Sequence, residues 1–286
     1  MAIDPATALG AVRLQVADLS GLRGFYERVI GLRTLDDGGG TTRLGIEDGK
    51  PLVELVEKPD APERPPGTTG LFHMAILVPS RADLARALER VANQGWRLSG
   101  ASDHLVSEAL YLADPEDNGI ELYRDRPREE WSHEDGALQM ATLPLDLPDL
   151  LGEARGDELA VQMPAGTRVG HVHLQVSDLS AAEAFYCDVL GFEVMVRSYP
   201  GALFVSAGGY HHHVGLNTWA GEGAPPPPPG SRGLERFELI AGSEGELEQV
   251  AGRAEAAGID SERQDGELLL QDPSGNRVAL RSQTRT

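Results

Sequence analysis

The sequence predicts an α+β fold assembled from four copies of one β-α-β-β-β module. Three observations predict it. Residues 10–32 (GAVRLQVADLSGLRGFYERVIGL) return as residues 170–192 (GHVHLQVSDLSAAEAFYCDVLGF), at a constant offset of 160. A weaker pair joins residues 70–126, which begin GLFHMAILV and close on ADPEDNGIELY, with residues 233–281, which begin GLERFELIA and close on QDPSGNRVAL. Within each segment the apolar pattern runs from period two to a helical period and back to short strands.

The modules span about 8–58, 68–126, 168–220 and 232–282. Each opens on an alternating strand, Val12-x-Leu14-x-Val16 or Val172-x-Leu174-x-Val176. An Asp or Ser follows where a helix N-cap belongs, as in Asp18-Leu19-Ser20. The amphipathic helix then ends at a glycine, Gly31 or Gly191. Glycine-rich turns separate the remaining strands, and in modules two and four an Asp-Pro-x-x-Asn turn precedes the last one. The chain divides into halves 1–126 and 168–286, joined by an acidic, proline-dotted linker over 127–167. The run Pro225–Pro229 forms a stiff, extended spacer between modules three and four.

Composition narrows the function. The 286 residues carry 45 acids and 25 bases, a net charge of −20, which disfavours nucleic acid and anionic membranes as partners. No apolar run approaches the ~20 residues of a membrane span. The start, Met1-Ala2-Ile3-Asp4-Pro5, lacks a basic and then apolar leader. The single cysteine, Cys187, excludes an internal disulfide and fits a reducing cytoplasm. It falls in a predicted helix and reads as a bystander.

Seven of the eight histidines fall at the ends or in the interior of predicted strands: His73, His104, His171, His173, His211, His212 and His213; His133 lies in the linker. His73 is in the opening strand of module two. Glu121 sits in its last strand between Ile120 and Leu122, where a buried carboxylate needs a cation or strong donors. His171 opens module three, where module one has Ala11, and His173 shares its face. Read blandly, each is a polar residue on a wet sheet face or a strand-end histidine satisfied by backbone. Read together, two histidines and a carboxylate form the facial set of non-haem iron(II) oxygenases, although zinc accepts the same ligand types.

Here the sequence resembles the vicinal oxygen chelate superfamily, and within it the type I extradiol catechol 2,3-dioxygenases. The resemblance rests on the two strand-Asp-helix-Phe-Tyr-x-x-Val-[IL]-Gly units, on HMAIL, on ADPEDNGIELY and on the run Tyr210-His211-His212-His213-Val-Gly-Leu-Asn-Thr-Trp. It implies modules paired into two open β-barrel-like domains, with a metal inside one of them. Module two supplies His73 and Glu121, and module three supplies His171. Module four has Arg236 or Phe237 and Ala279 at the matching places, so modules two and three are expected to pair, leaving one with four.

The resemblance further implies an extradiol enzyme that inserts O2 into a small aromatic diol at Fe(II), with Mn(II) or another divalent metal as the alternative. Tyr111, ten residues before Glu121, and His104 upstream of it match positions that act beside the metal. A histidine of the run 211–213 is the expected acid–base. Strand alternation would put His211 and His213 on one face and His212 on the other, which favours the first two. His173, His212, Tyr210 and Asn217 are the expected substrate contacts. Two rivals stay open: a glyoxalase-like lyase or isomerase using zinc, nickel or manganese, and a metal-free small-molecule binding protein. Ring substituents and oligomeric state, a homo-oligomer included, stay open as well.

Overall fold

The computed structural model describes residues 2–47, 49–154 and 161–283. Residues 155–160 of the predicted linker, and Met1 of the segment read for a leader, lie outside the described residues. Module one consists of β1 (Ala8–Val16), α1 (Leu19–Phe25), β2 (Arg33–Gly38), β3 (Thr41–Gly45) and β4 (Pro51–Glu57). Module two consists of β5 (Gly70–Leu77), α2 (Arg81–Asn93), β6 (Gly100–Asp103), β7 (Ser107–Ala113) and β8 (Gly119–Asp125). The connecting segment carries β9 (His133–Glu134), β10 (Ala137–Leu138), β11 (Leu143–Pro144) and α3 (Leu147–Gly152). Module three consists of β12 (Arg168–Gln175), α4 (Leu179–Glu183), β13 (Glu193–Val196), β14 (Ala202–Ser206) and β15 (Val214–Asn217). Module four consists of β16 (Gly233–Ala241), α5 (Glu244–Ala256), β17 (Ser261–Gln264), β18 (Glu267–Gln271) and β19 (Arg277–Ser282). No described helix is long and apolar enough to cross a membrane.

The hydrogen-bonded strand orders are β17-β18-β19-β16-β1-β4-β3-β2 and β11-β6-β7-β8-β5-β12-β15-β14-β13. Modules one and four thus contribute to one sheet, and modules two and three to the other, as the missing ligands in one and four led us to expect. The opening strands bury their alternating residues completely, Val12, Leu14 and Val16 in one repeat and Val172, Leu174 and Val176 in the other. The caps form as expected: Asp18 accepts from the Gly21 N–H at 2.9 Å, and Asp178 from the Ala181 N–H at 2.7 Å.

The first helix of modules one and three departs from a plain amphipathic helix. Its second half is a π-helical turn, Tyr26–Ile30 in one copy and Ala184–Val189 in the other. Gly31 closes the first of these in the left-handed region, φ 87°, where an L side chain is strained.

Contacts within the chain gather residues 14–61 with 73–169 into one compact unit, and residues 1–13 with 62–72 and 170–286 into another. Each unit ties the asparagine turn of one module to the first helix of its neighbour with the same device. In the first, buried Asp114 accepts from the Glu116 N–H at 2.9 Å, the Asn118 N–H at 3.0 Å, the Asn118 Nδ2 at 2.9 Å and the Tyr26 hydroxyl at 3.0 Å. In the second, Asp272 accepts from the Ser274 N–H at 2.8 Å, the Asn276 N–H at 2.8 Å, the Asn276 Nδ2 at 2.9 Å and the Tyr186 hydroxyl at 3.1 Å. The Asp-Pro-x-x-Asn turns are therefore folded around their aspartates and gripped by a tyrosine from the neighbouring module. Arginines finish the job. Arg90 donates to the Val29 carbonyl at 3.1 Å and Arg253 to the Val189 carbonyl at 2.7 Å, satisfying carbonyls that the helix end leaves open.

Burial pushes the Asp114 carboxyl up to about 6 against its hydrogen bonds, and it raises Asp272 as well. A raised folded value means that the protonated form is favoured in the folded state. The contribution is therefore present below the unfolded value near 4 and is lost as pH climbs to about 6. Asp114→Asn should flatten this part of the stability profile in urea unfolding between those limits, with the Asp272 part remaining. Asp114→Ala should cost about 2–4 kcal/mol by stranding buried donors, and Tyr26→Phe about 1 kcal/mol. An unaltered urea midpoint in Asp114→Ala would contradict the account.

Candidate metal and diol site

In module two the parallel pairing of β5 with β8 sets Ala75 opposite Glu121, and the antiparallel pairing of β7 with β8 sets Tyr111 opposite Glu121. His73, two residues before Ala75, shares the face of that residue. These registers bring the His73 Nε2 to 3.0 Å from the Glu121 Oε2, with both residues buried. The Tyr111 ring lies 5.6 Å from the His73 ring.

His104 follows β6 in a turn whose next residue, Leu105, takes a left-handed φ of 70°. Its Nδ1 lies 2.6 Å from the Ala141 carbonyl, and its Nε2 lies 2.7 Å from the Tyr111 hydroxyl. A carbonyl only accepts, so Nδ1 carries the proton that donates to it. In the neutral ring Nε2 then accepts from the Tyr111 O–H. Ala141 belongs to the segment between modules two and three, and nothing in its sequence marks it for this orienting role.

In module three, β12 and β15 pair in parallel with Val172 opposite Val214 and His173 opposite Gly215. His171, His173 and Asn217 are all buried. The three consecutive histidines precede β15, which begins only at Val214, so they do not alternate as strand residues. The shared face expected for His211 and His213 is thus replaced by a loop arrangement. A turn through Gly208 and Gly209, with φ of 59° and 66°, aims the three rings separately. The His212 ring packs on the His171 ring at 4.0 Å, and the His211 ring lies 6.0 Å from it. The two Nδ1 atoms of His211 and His212 meet at 2.7 Å, so one of them carries a proton that the other accepts. His213 turns instead toward β14, where its Nδ1 lies 2.9 Å from the Ser206 hydroxyl and accepts from the Ala207 N–H at 3.2 Å. Tyr210 stacks over His211 at 4.0 Å, and the Asn217 Oδ1 accepts from the Trp219 N–H at 3.0 Å.

Among the described residues, one buried group of histidine, cysteine or acidic side chains could hold a metal ion. It comprises His73, Glu121 and His171, each offering one ligand atom, and these atoms all lie within 4.8 Å of one another. The donor set fits a divalent ion. Two neutral imidazole nitrogens and one carboxylate oxygen suit iron, manganese or zinc, and three protein ligands leave positions for small molecules.

Comparison with known proteins identifies the family. The Glyoxalase/Bleomycin resistance protein/Dioxygenase superfamily model matches residues 8–122 and 168–280. Catechol-2,3-dioxygenase of Bacillus subtilis (strain 168) is 45% identical over 273 residues, spanning 93% of this chain and 94% of that protein. Among solved structures, a putative dioxygenase from Bacillus subtilis subsp. subtilis str. 168 superposes with a TM-score of 0.66 at 12% identity, covering 96% of this chain and 84% of that one. Glyoxalase I from Zea mays superposes with a TM-score of 0.59 at 17% identity, covering 96% and 92%. At these identities the two structures speak for the fold alone. The matched family model, covering most of both halves, and the relative that spans nearly the whole chain identify this protein as a member of the Glyoxalase/Bleomycin resistance protein/Dioxygenase superfamily.

Proposed function

We propose that this protein is an extradiol dioxygenase that opens a catechol-type ring beside its two hydroxyls, placing both atoms of O2 in a muconic semialdehyde-type product. The observation that carries the proposal is the convergence of one carboxylate and two imidazoles, Glu121, His73 and His171, in a buried setting. The similarity to catechol-2,3-dioxygenase of Bacillus subtilis supports the reaction class. These three residues would hold Fe(II), with Mn(II) or another divalent ion as the alternative. When bound, the metal supplies Lewis acidity and an electron path between the diol and O2.

The remaining work belongs to the side chains. A diol must lose a proton to become a good ligand, and we assign its acceptance to the ring nitrogens of His211 and His212, whose rings lie 6.0 and 4.0 Å from the His171 ring. Their shared Nδ1···Nδ1 hydrogen bond lets a proton taken at one ring be relayed through the other. We give this acid–base role to the His211–His212 pair in preference to His213, whose Nδ1 is engaged by Ser206 and Ala207. The Tyr111 hydroxyl and His104 form a second proton-handling pair. With Nδ1–H held on Ala141, a proton added to His104 Nε2 turns that nitrogen from acceptor to donor and redirects the Tyr111 O–H toward the substrate. The buried setting excludes water from these exchanges.

Two predictions separate the roles. Ala substitutions of His73, Glu121 or His171 should each abolish stoichiometric iron after anaerobic reconstitution, together with ring opening of catechol. A full equivalent of iron in Glu121→Ala would sink the ligand assignment. Tyr111→Phe, His104→Gln, His211→Gln and His212→Gln should keep iron while lowering kcat and kcat/KM together, by roughly 100- to 10,000-fold for loss of an acid–base group. His213→Gln should have a smaller effect on turnover. Normal turnover in all three single variants of the run 211–213 would remove it from the mechanism.

A further inference from the structure

One feature of module three is left over once the metal ligands and proton-handling residues are assigned. His171 and His173 point to the same face of β12, two residues and so about 6.6 Å apart along the strand. Beyond His173 the face continues outward as aromatic rings. Phe204 touches both ends of the stretch, its ring 4.9 Å from His212 and 5.6 Å from His173. The Phe72 and Trp219 rings lie 5.2 and 5.3 Å from the His173 ring and 5.3 Å from each other. The series therefore runs from buried imidazoles, through Phe204 and His173, to two side chains that remain 38% and 49% exposed.

Single exposed hydrophobics are ordinary on protein surfaces. This pair is held in place, which is not. The Trp219 indole N–H donates to the Pro200 carbonyl at 3.1 Å, and its backbone N–H donates to buried Asn217 at 3.0 Å. The backbone also leaves room for the rings. A Cβ at Gly215 would stand 2.9 Å from the His173 ring, and a Cβ at Gly201 would stand 3.4 Å from the Trp219 ring. A side chain at Gly215 would push the His173 ring out of place, and one at Gly201 would sit in ordinary contact with Trp219. The Asn217 Nδ2, fully buried at the foot of Trp219, has no hydrogen-bond partner among the described residues and offers a donor there.

We infer that Phe72 and Trp219, standing on His173 and Phe204, are specificity-determining residues that receive a flat aryl substituent carried by the diol. This rests on the ring-opening function proposed above. Face and edge contacts between aromatic rings favour such a substituent beyond its area alone.

The test uses the full iron-loaded chain with catechol and biphenyl-2,3-diol. In Trp219→Ala and Phe72→Ala, the ratio of kcat/KM for biphenyl-2,3-diol to that for catechol should fall by about tenfold, with Trp219→Phe restoring most of it. Both side chains are exposed, so the variants should fold. An unchanged ratio in both alanine variants would overturn the inference. A second readout does not depend on turnover: anaerobic titration of tryptophan fluorescence with biphenyl-2,3-diol. Saturable quenching that Phe72→Ala weakens supports the wall, and the absence of saturable quenching refutes it. Should no diol be turned over, the catalytic proposal falls by itself, and the wall is judged on this titration alone.

Discussion

A carboxylate buried in an apolar strand is the constraint on which the rest of the site depends. Glu121 lies between Ile120 and Leu122, all of them buried in β8. Leaving such a group ionised and unpaired costs several kcal/mol, so the fold must bring a donor or a cation to it. Register does this. The β5–β8 and β7–β8 pairings set His73 and Tyr111 on the Glu121 side, and a slip of one residue in either would turn a partner to the opposite face. The meeting of His73 and Glu121, two of the three proposed metal ligands, is thus a consequence of strand register in one module.

The repeated architecture preserves the scaffold and lets the chemistry diverge. Both units keep the buried aspartate, its asparagine and the tyrosine that grips it, and both keep an arginine on the end of the first helix. These are packing devices, one set in each unit, shared between its two modules. The ligand positions are under no such demand. Where module two has His73, module four has Arg236, paired with Glu267 at 2.8 Å; where module two has Glu121, module four has Ala279. Beside them Glu238 takes the Arg281 guanidinium at 3.3 Å and accepts from the Ala11 N–H at 3.2 Å. Ion pairs and a backbone donor occupy the place that His73 and Glu121, the proposed metal ligands, hold in module two.

The two histidine groups fix their ring protons by opposite devices. His104 is pinned by a main-chain carbonyl, so its tautomer is dictated by an acceptor that cannot donate. His211 and His212 share one proton between facing nitrogens, so neither is locked. A ring held in one tautomer suits orientation of a hydroxyl, and a pair that shares a proton suits transfer.

The sequence by itself determined the modules, the caps at Asp18 and Asp178 and the asparagine turns, and it singled out the trio proposed as metal ligands, because each depends on local pattern or on comparison of one repeat with another. The pairing of modules two and three was legible too, from the absence of ligands in modules one and four. The orientation of His211, His212 and His213 was not, because two glycines with positive φ make that stretch a loop, and alternation predicts faces only within strands. Nor were the hold of Ala141 on His104, the Tyr26–Asp114 contact or the grouping of Phe72 with Trp219. Each joins residues far apart in the chain, and tertiary structure decided them because only the folded backbone sets which distant groups come within reach of a hydrogen bond or a ring contact.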